Sequence, residues 1–207
     1  MIEYTHMKYC LDTNVLFTFQ KGVGLGENPE QVIQKLIAVA SKKTATFCLP
    51  QKIDEEVRTM LDARYEKLWL EFLSHIAIKT PKIYTHSISA GLLYEFVNDY
   101  RKRAYDGLKV AEDIVAQVAK NTKSIENKVE FEKSLQPHKE SLRLRYRNAT
   151  RTGTIDSVAD LDLILLSIEE DAALVSADEG VVVWGRKFGA KEMDLSVFGQ
   201  KMREALL

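Results

Sequence analysis

Short apolar runs alternate along this chain with longer stretches whose apolar residues recur every three or four positions. The apolar runs predict strands over residues 8–11, 44–50 and 172–176. The periodic stretches predict helices starting at Asn28-Pro29 and over residues 51–73, 154–171 and 179–189, and residues 191–207 predict a strand and a closing helix. Strands that alternate with helices predict an α/β fold, a parallel sheet with helices on both faces. The glycine-rich residues 21–28 predict a flexible connection.

A long helical segment interrupts this alternation. From residue 87 to about 120 the chain has no proline and repeats apolar residues at helical spacing, and a second helical stretch continues to about Arg151. Together they predict a helical hairpin whose second helix is expected to break near Pro137. We therefore predict a main domain formed by residues 1–81 and 152–207, and an inserted basic helical arm formed by residues 82–151.

The charge of the chain is unevenly distributed. Net charge is −1 over 207 residues, but residues 82–150 carry 13 basic against 9 acidic residues. A net-basic arm on an otherwise acidic protein favours binding of nucleic-acid phosphates by the arm.

Composition also restricts the compartment. With 45% hydrophobic residues and no apolar run of membrane-spanning length, the sequence is typical of a soluble globular protein and predicts no membrane span. The first ten residues lack the pattern of a secretory signal. Cys10 and Cys48 lie in apolar runs and predict buried thiols in the cytoplasm, with a disulfide between them as the alternative.

Four aspartates are predicted to lie near the carboxyl edge of the sheet, where open parallel sheets bind ligands. Asp12 follows the first strand and Asp178 the third, so both belong to the carboxyl edge of the sheet. Asp156 and Asp160 are four apart at a helix start and are expected to share one face, where like charges destabilise the helix unless a cation intervenes. Each alone is also explained by capping or a turn. Together they predict a site for Mg²⁺ or Mn²⁺, which prefer oxygen ligands.

Two further acidic residues have an open role. Asp162, about 200° round the helix from Asp160, is expected to face away from this site. Glu56 begins the helix after the second strand, and it either reaches the same sheet edge or is solvated at the helix start.

The motifs "CLDTNVLF", "LPQKIDEEV", "TIDSVADLDLILLSIEED" and "ALVSADEGVVVWGRKFG" resemble those of PIN-domain nucleases. Their spacing and the long insert are more closely similar to the HARP family, the small protein-only ribonuclease P of some bacteria and archaea. The resemblance implies a PIN-like fold and a metal-dependent endoribonuclease that removes the 5′ leader of precursor tRNA. Its products would carry a 5′-phosphate on the tRNA and a 3′-hydroxyl on the leader. It also implies that the catalytic and metal-binding residues are Asp12, Asp156, Asp160 and Asp178, with Glu56 as a less secure match.

The basic arm predicts where the substrate binds. Arg143 and Arg147 lie four residues apart with Arg145, Tyr146 and Arg151 nearby, and a solvated helix face is the alternative explanation. The family resemblance implies that Arg143 and Arg147 contact tRNA. It further implies a homo-oligomer formed through the helical insert, and no RNA subunit.

Three other functions fit part of the sequence. A toxin-type PIN ribonuclease would share the acidic site but would be shorter, without the insert. A non-catalytic RNA-binding or RNA-ligase-partner protein would use the basic arm but leaves four carboxylates unexplained. A metal-dependent DNA nuclease would use the acids but does not match the family motifs.

Overall fold

The computed structural model describes residues 7–19, 25–122 and 125–206, so the connection expected at residues 21–28 lies partly outside it. The chain forms two compact units: Met1–Ser87 with Gly153–Leu207, and Ile88–Thr152. The second unit starts later than residue 82, because residues 82–86 bond within the first unit. There the Lys82 N–H and His86 Nε2 each lie 2.6 Å from Glu169 Oε1.

One parallel sheet of five strands lies at the centre of the first unit, within the described ranges. The strands are β1 Met7–Leu11, β2 Ala45–Pro50, β3 Ala77–Lys79, β4 Ala173–Val175 and β5 Lys191–Met193. Their order is β3-β2-β1-β4-β5, and every neighbouring pair is parallel. The predicted α/β fold is therefore confirmed. Sequence reasoning missed β3, which has only three residues and too little alternation to stand out.

The helices of the described chain are α1 Asn14–Phe17, α2 Pro29–Ser41, α3 Gln51–Met60, α4 Glu66–Leu73, α5 Ala90–Asn121, α6 Lys128–Arg151, α7 Val158–Glu169, α8 Glu179–Phe188 and α9 Leu195–Leu206. As predicted, α2 starts at an Asn28 cap, whose side chain accepts from the Gln31 N–H at 3.0 Å. The single helix predicted over 51–73 is wrong. It splits after Met60, because the Asp62 side chain accepts from the Arg64 N–H at 3.0 Å and starts a 3₁₀ turn.

Helices cover both faces of the sheet. Alternate residues of β1 point to opposite faces and so contact different helices. Tyr9 packs edge-on against Phe198 of α9, with ring centroids 5.2 Å apart. On the other face, Cys10 Sγ lies 3.8 Å from the Leu163 carbonyl oxygen of α7. Cys10 and Cys48 pair in register on β1 and β2, and both are buried free thiols, as predicted.

The second unit consists of α5 and α6 packed against each other. Arg145 on α6 forms an ion pair with Asp113 on α5 at 2.6 Å. The break expected near Pro137 is wrong, since α6 continues through it. Pro137 and Lys133, four residues earlier, are both exposed, so water can bond the carbonyl that proline leaves unpaired. No helix in the described part of the chain combines the length and apolar character needed to span a membrane.

Candidate active site

The ends of β1 and β4 meet at the carboxyl edge of the sheet. The two strands are neighbours, with Leu11 paired to Val175, and the Asp12 N–H donates to the Val175 carbonyl at 3.1 Å. Asp12 thus follows β1 directly, and Asp178 comes three residues after Val175. The sheet therefore brings these two predicted residues to the same edge.

Asp12 is nearly removed from solvent, with 7% of its surface exposed. Its Oδ2 accepts hydrogen bonds from Asn14 Nδ2, at 2.8 Å, and from Ser176 Oγ. Burial raises the pKa of Asp12 to about 6; the Ser176 hydrogen bond opposes that rise, and the charges of Asp160 and Asp178 add to it. The ionised carboxylate is therefore unfavourable here unless a cation lies beside it.

Asn14 and Ser176 connect the two loops of this edge. Asn14 Nδ2 also lies 3.2 Å from Ser176 Oγ, and Asn14 Oδ1 accepts from the Ala177 N–H at 3.1 Å. Ser176 Oγ in turn accepts from the Asp178 N–H at 2.9 Å. This network holds the Asp12 carboxylate and the backbone of Asp178 in a fixed relation.

Asp160 lies in the first turn of α7, where it also closes the helix end. Its N–H donates to Ser157 Oγ at 3.0 Å, and its Oδ2 accepts from the Ser157 N–H at 3.2 Å, which together form a capping box. Burial raises the pKa of Asp160, the Ser157 hydrogen bond opposes the rise, and the charges of Asp156 and Asp178 add to it.

Asp156 lies outside the helix. The prediction that Asp156 and Asp160 share one helix face is wrong, because α7 begins only at Val158. Ser157 occupies the cap position with extended backbone, at φ −135° and ψ 159°. Asp156 therefore stands on the loop before α7, from which its charge still acts on Asp160.

Asp178 caps α8, with its Oδ1 accepting from the Val181 N–H at 3.0 Å. Its charge nevertheless acts on both Asp12 and Asp160. The structure thus places Asp12, Asp160 and Asp178 within electrostatic reach of one another, and Asp156 within reach of Asp160. We call Asp12, Asp156, Asp160 and Asp178 the acidic cluster.

The acidic cluster has the donor chemistry of a divalent-cation site, although its side chains do not converge on one point. Within residues 7–19, 25–122 and 125–206, no three Asp, Glu, His or Cys side chains form a group that would hold one ion. Mg²⁺ usually keeps several waters and takes only one or two carboxylates. The carboxylates of the cluster are the ligand type that Mg²⁺ takes, and a cation beside them would offset their mutual repulsion.

Glu56 and Asp162 flank this cluster differently. Glu56 Oε2 accepts from Thr13 Oγ1 at 2.7 Å, so it reaches the sheet edge beside Asp12. Asp162 is 5% exposed, and burial raises its pKa against the charge of Lys52 on α3. That neighbour places Asp162 on the side of α7 that faces α3.

Sequence reasoning missed Ser176, whose hydroxyl donates to the Asp12 carboxylate. It lies in the motif "SADEG", where only Asp178 was given a role. The sequence signal is a serine two residues before Asp178, because a serine hydroxyl commonly bonds the backbone N–H two residues further along the chain.

Comparison with known proteins identifies the class that this fold and site define. Residues 8–207 match the family described as PINc domain ribonuclease. Proteins named RNA-free ribonuclease P are similar over nearly the whole chain. That of Thermococcus kodakarensis is 34% identical over 194 residues, 93% of this chain and 92% of the relative. That of Alkalilimnicola ehrlichii is 33% identical over 196 residues, 94% and 95% of the two chains. That of Pyrococcus furiosus is 30% identical over 200 residues, 96% and 94%.

The chain belongs to the PIN-domain ribonucleases, and within them to the RNA-free ribonuclease P family. The predicted family and the predicted enzyme class, an endoribonuclease of the ribonuclease P type, are confirmed.

Proposed function

We propose that this enzyme removes the 5′ leader of precursor tRNA in the cytoplasm, without an RNA subunit and with a divalent cation held by the acidic cluster. The observation that carries the proposal is the near-full-length similarity to proteins named RNA-free ribonuclease P, at 30–34% identity. The expected products are a tRNA with a 5′-phosphate and a leader with a 3′-hydroxyl.

The acidic cluster supplies the carboxylates that would hold Mg²⁺ or Mn²⁺. When bound, such a cation supplies an activated water and stabilises the leaving oxygen of the phosphodiester. The chain's own groups orient the ligands: Ser176 and Asn14 fix the Asp12 carboxylate. Asp160 and Asp178 sit at the N-termini of α7 and α8, whose partial positive charge favours an approaching phosphate.

We assign the helical hairpin as the tRNA-binding arm and the first unit, Met1–Ser87 with Gly153–Leu207, as the nuclease domain. Duplex RNA is recognised by its backbone and shape, because its base edges are hidden in a narrow groove. Arg143 and Arg147 suit phosphate binding because both are exposed on α6, and among the described residues neither is paired with a carboxylate. Arg145 on the same helix is already engaged by Asp113.

The hairpin also carries the surface that we assign to a homo-oligomer. Large apolar side chains stay exposed along α5: Leu93, Tyr94, Val97, Tyr100, Tyr105, Leu108 and Val115. Exposed apolar area of this extent is uncommon on a monomer and typical of an interface. A second copy of this chain is the partner we propose, because assembly would let one subunit bind the body of the tRNA while another cuts it.

The test is cleavage of a 5′-labelled precursor tRNA by the purified protein, with Mg²⁺ and with EDTA. We expect release of the intact leader and a mature 5′-phosphate end in Mg²⁺, and no cleavage in EDTA. Asp160→Asn should abolish cleavage and keep tRNA affinity, because asparagine retains the shape at the cap but loses the charge. Asp62→Asn is the matched control, because Asp62 is an exposed aspartate outside the acidic cluster.

Three outcomes would contradict the proposal. Cutting at scattered positions would favour a general PIN ribonuclease, and tight tRNA binding with no cleavage in any divalent cation would favour a non-catalytic RNA-binding protein. Full activity of Asp160→Asn would remove the acidic cluster from the mechanism.

A further inference from the structure

Gly180, in the first turn of α8, lies against the loop that carries Asp156. A Cβ atom added at Gly180 would stand 2.6 Å from the Thr154 carbonyl carbon and 2.7 Å from its backbone nitrogen, with the carbonyl oxygen closer still. Real Cβ atoms essentially never approach other atoms below 3.0 Å, and the atoms met here are backbone atoms that cannot rotate away. Glycine is therefore the residue that lets the two backbones touch at this point.

The segments in contact carry two members of the acidic cluster. Thr154 comes two residues before Asp156, and Gly180 comes two residues after Asp178. Asp178 is fixed as the cap of α8, whereas Asp156 has no helix of its own. The loop that carries Asp156 includes Gly153, which has left-handed backbone at φ 75°. The first turn of α8 is therefore one support of the loop that carries Asp156.

We propose that Gly180 is a positioning residue of the active site: by letting the Thr154 backbone pack directly on α8, it sets the distance between Asp156 and Asp178. The inference rests on the acidic cluster proposed above as the cation site. A side chain at Gly180 pushes the Asp156 loop outward and opens the cluster on that side. Cation binding then weakens, while binding of tRNA by the hairpin is unchanged.

The test compares Gly180→Ala with Gly185→Ala. Both positions lie in α8, so both replacements add one methyl group to the same helix. A Cβ at Gly185 would instead meet the Leu174 Cδ2 atom, the end of a flexible side chain in the core. The primary readout is Mn²⁺ affinity by electron paramagnetic resonance, which needs no catalysis. Tryptophan fluorescence reports folding, and single-turnover cleavage gives the Mg²⁺ concentration for half-maximal rate.

Gly180→Ala should bind Mn²⁺ about 10-fold or more weakly and need correspondingly more Mg²⁺, the usual size of a lost ligand-orienting contact. Its affinity for precursor tRNA should stay within about twofold of wild type, and Gly185→Ala should match wild type in both measurements. In an Asp156→Asn background, Gly180→Ala should cause no further loss of Mn²⁺ affinity, because it acts through Asp156.

Each contrary result has a distinct meaning. If Asp156→Asn leaves Mn²⁺ binding and cleavage unchanged, the proposed cation site fails, whatever Gly180→Ala does. If Asp156→Asn is inactive but Gly180→Ala behaves like Gly185→Ala, the cation site stands and the positioning role of Gly180 is overturned. Additive losses in the double variant overturn it as well. So does a Gly180→Ala protein without a cooperative unfolding transition, because Gly180 would then be needed for folding.

Discussion

Replacing Asp12 by asparagine should abolish cleavage and yet stabilise the metal-free protein at pH 8. The folded protein binds a proton at Asp12 more tightly than the unfolded chain, because burial raises the pKa from 3.8 to about 6. The resulting stability is present below about pH 4, is lost as pH rises through about 6, and stays lost above that. At pH 8 the folded state holds an ionised carboxylate in a place that disfavours it.

The magnitude follows from the size of the pKa shift. A rise of about two units corresponds to about 3 kcal/mol in the free energy of unfolding between pH 4 and pH 8. Asparagine keeps the shape and can still accept from Asn14 and Ser176. Its NH₂ group cannot accept a hydrogen bond, so we charge about 1 kcal/mol against the bond that the carboxylate accepts from the Thr13 backbone. We therefore expect Asp12→Asn to be about 2 kcal/mol more stable than wild type at pH 8 in EDTA, and no more stable at pH 4.

Urea unfolding followed by tryptophan fluorescence measures this difference. Trp69 and Trp184 are 1% and 2% exposed and both lie in the first unit, so their emission reports the unfolding of the nuclease domain. Wild type, Asp12→Asn and the control Asp62→Asn are compared at one protein concentration, at pH 4, 6 and 8. Asp62→Asn should stay within about 0.5 kcal/mol of wild type throughout.

Adding Mg²⁺ at pH 8 should reverse the order of stability. The cation binds the folded wild type and stabilises it by mass action, while Asp12→Asn gains less. The reasoning is refuted if Asp12→Asn is less stable than wild type at pH 8 in EDTA, by an amount that does not change with pH.

The remaining predictions concern the loops and the arm. Ser176→Ala should lower the cleavage rate about 10- to 100-fold, and Ser176→Thr should keep most of the wild-type rate because it keeps the hydroxyl. Equal rates for Ser176→Ala and Ser176→Thr would show that the hydroxyl has no role in orienting Asp12. Arg143→Ala/Arg147→Ala should weaken tRNA binding and flatten the dependence of log K on log salt by about 0.7–0.9 per lost contact, with the saturated single-turnover rate preserved. Arg145→Ala, which breaks the pair with Asp113, should change the salt dependence less, and a collapse of the saturated rate in the double variant would place those arginines in the active site. Light scattering should find a species larger than the 23.6 kDa monomer, and a monomer alone would contradict the assigned interface.

The sequence predicted the parts of the fold whose cause is periodic or local. The buried run before Asp12 and the cap at Asn28 are visible in a few neighbouring residues, and the structure has both. The end of α3 at Met60 also has a local cause, the cap at Asp62. It was not predicted because the helical spacing of apolar residues continues without interruption through Asp62. The start of α7 was misplaced although "SVAD", the Ser157–Asp160 capping box, was available as a signal.

Contacts between residues far apart in the chain could not be predicted from the spacing of residues in the sequence. Asn14 and Ser176 are 162 residues apart, and only the pairing of β1 with β4 brings them together. The close backbone contact between Gly180 and Thr154 is another such case, because the residues "DEG" do not indicate which loop packs against Gly180. The bond from Thr13 to Glu56 likewise depends on the two strand ends being neighbours.

The caps at Asp160 and Asp178 have a consequence for how members of this fold would drift if cleavage were no longer under selection. Both aspartates accept hydrogen bonds from backbone N–H groups at helix starts, so folding alone would retain them or residues that accept the same bonds. These are asparagine, serine or threonine at the cap position 178, and glutamate or glutamine at position 160, the third residue of α7. Asp12 caps nothing and costs stability when ionised, so a descendant without activity would gain by losing it. Position 12, more than 160 or 178, is therefore where an inactive descendant should be recognisable, and measured activity of relatives that lack an acid there would decide the matter.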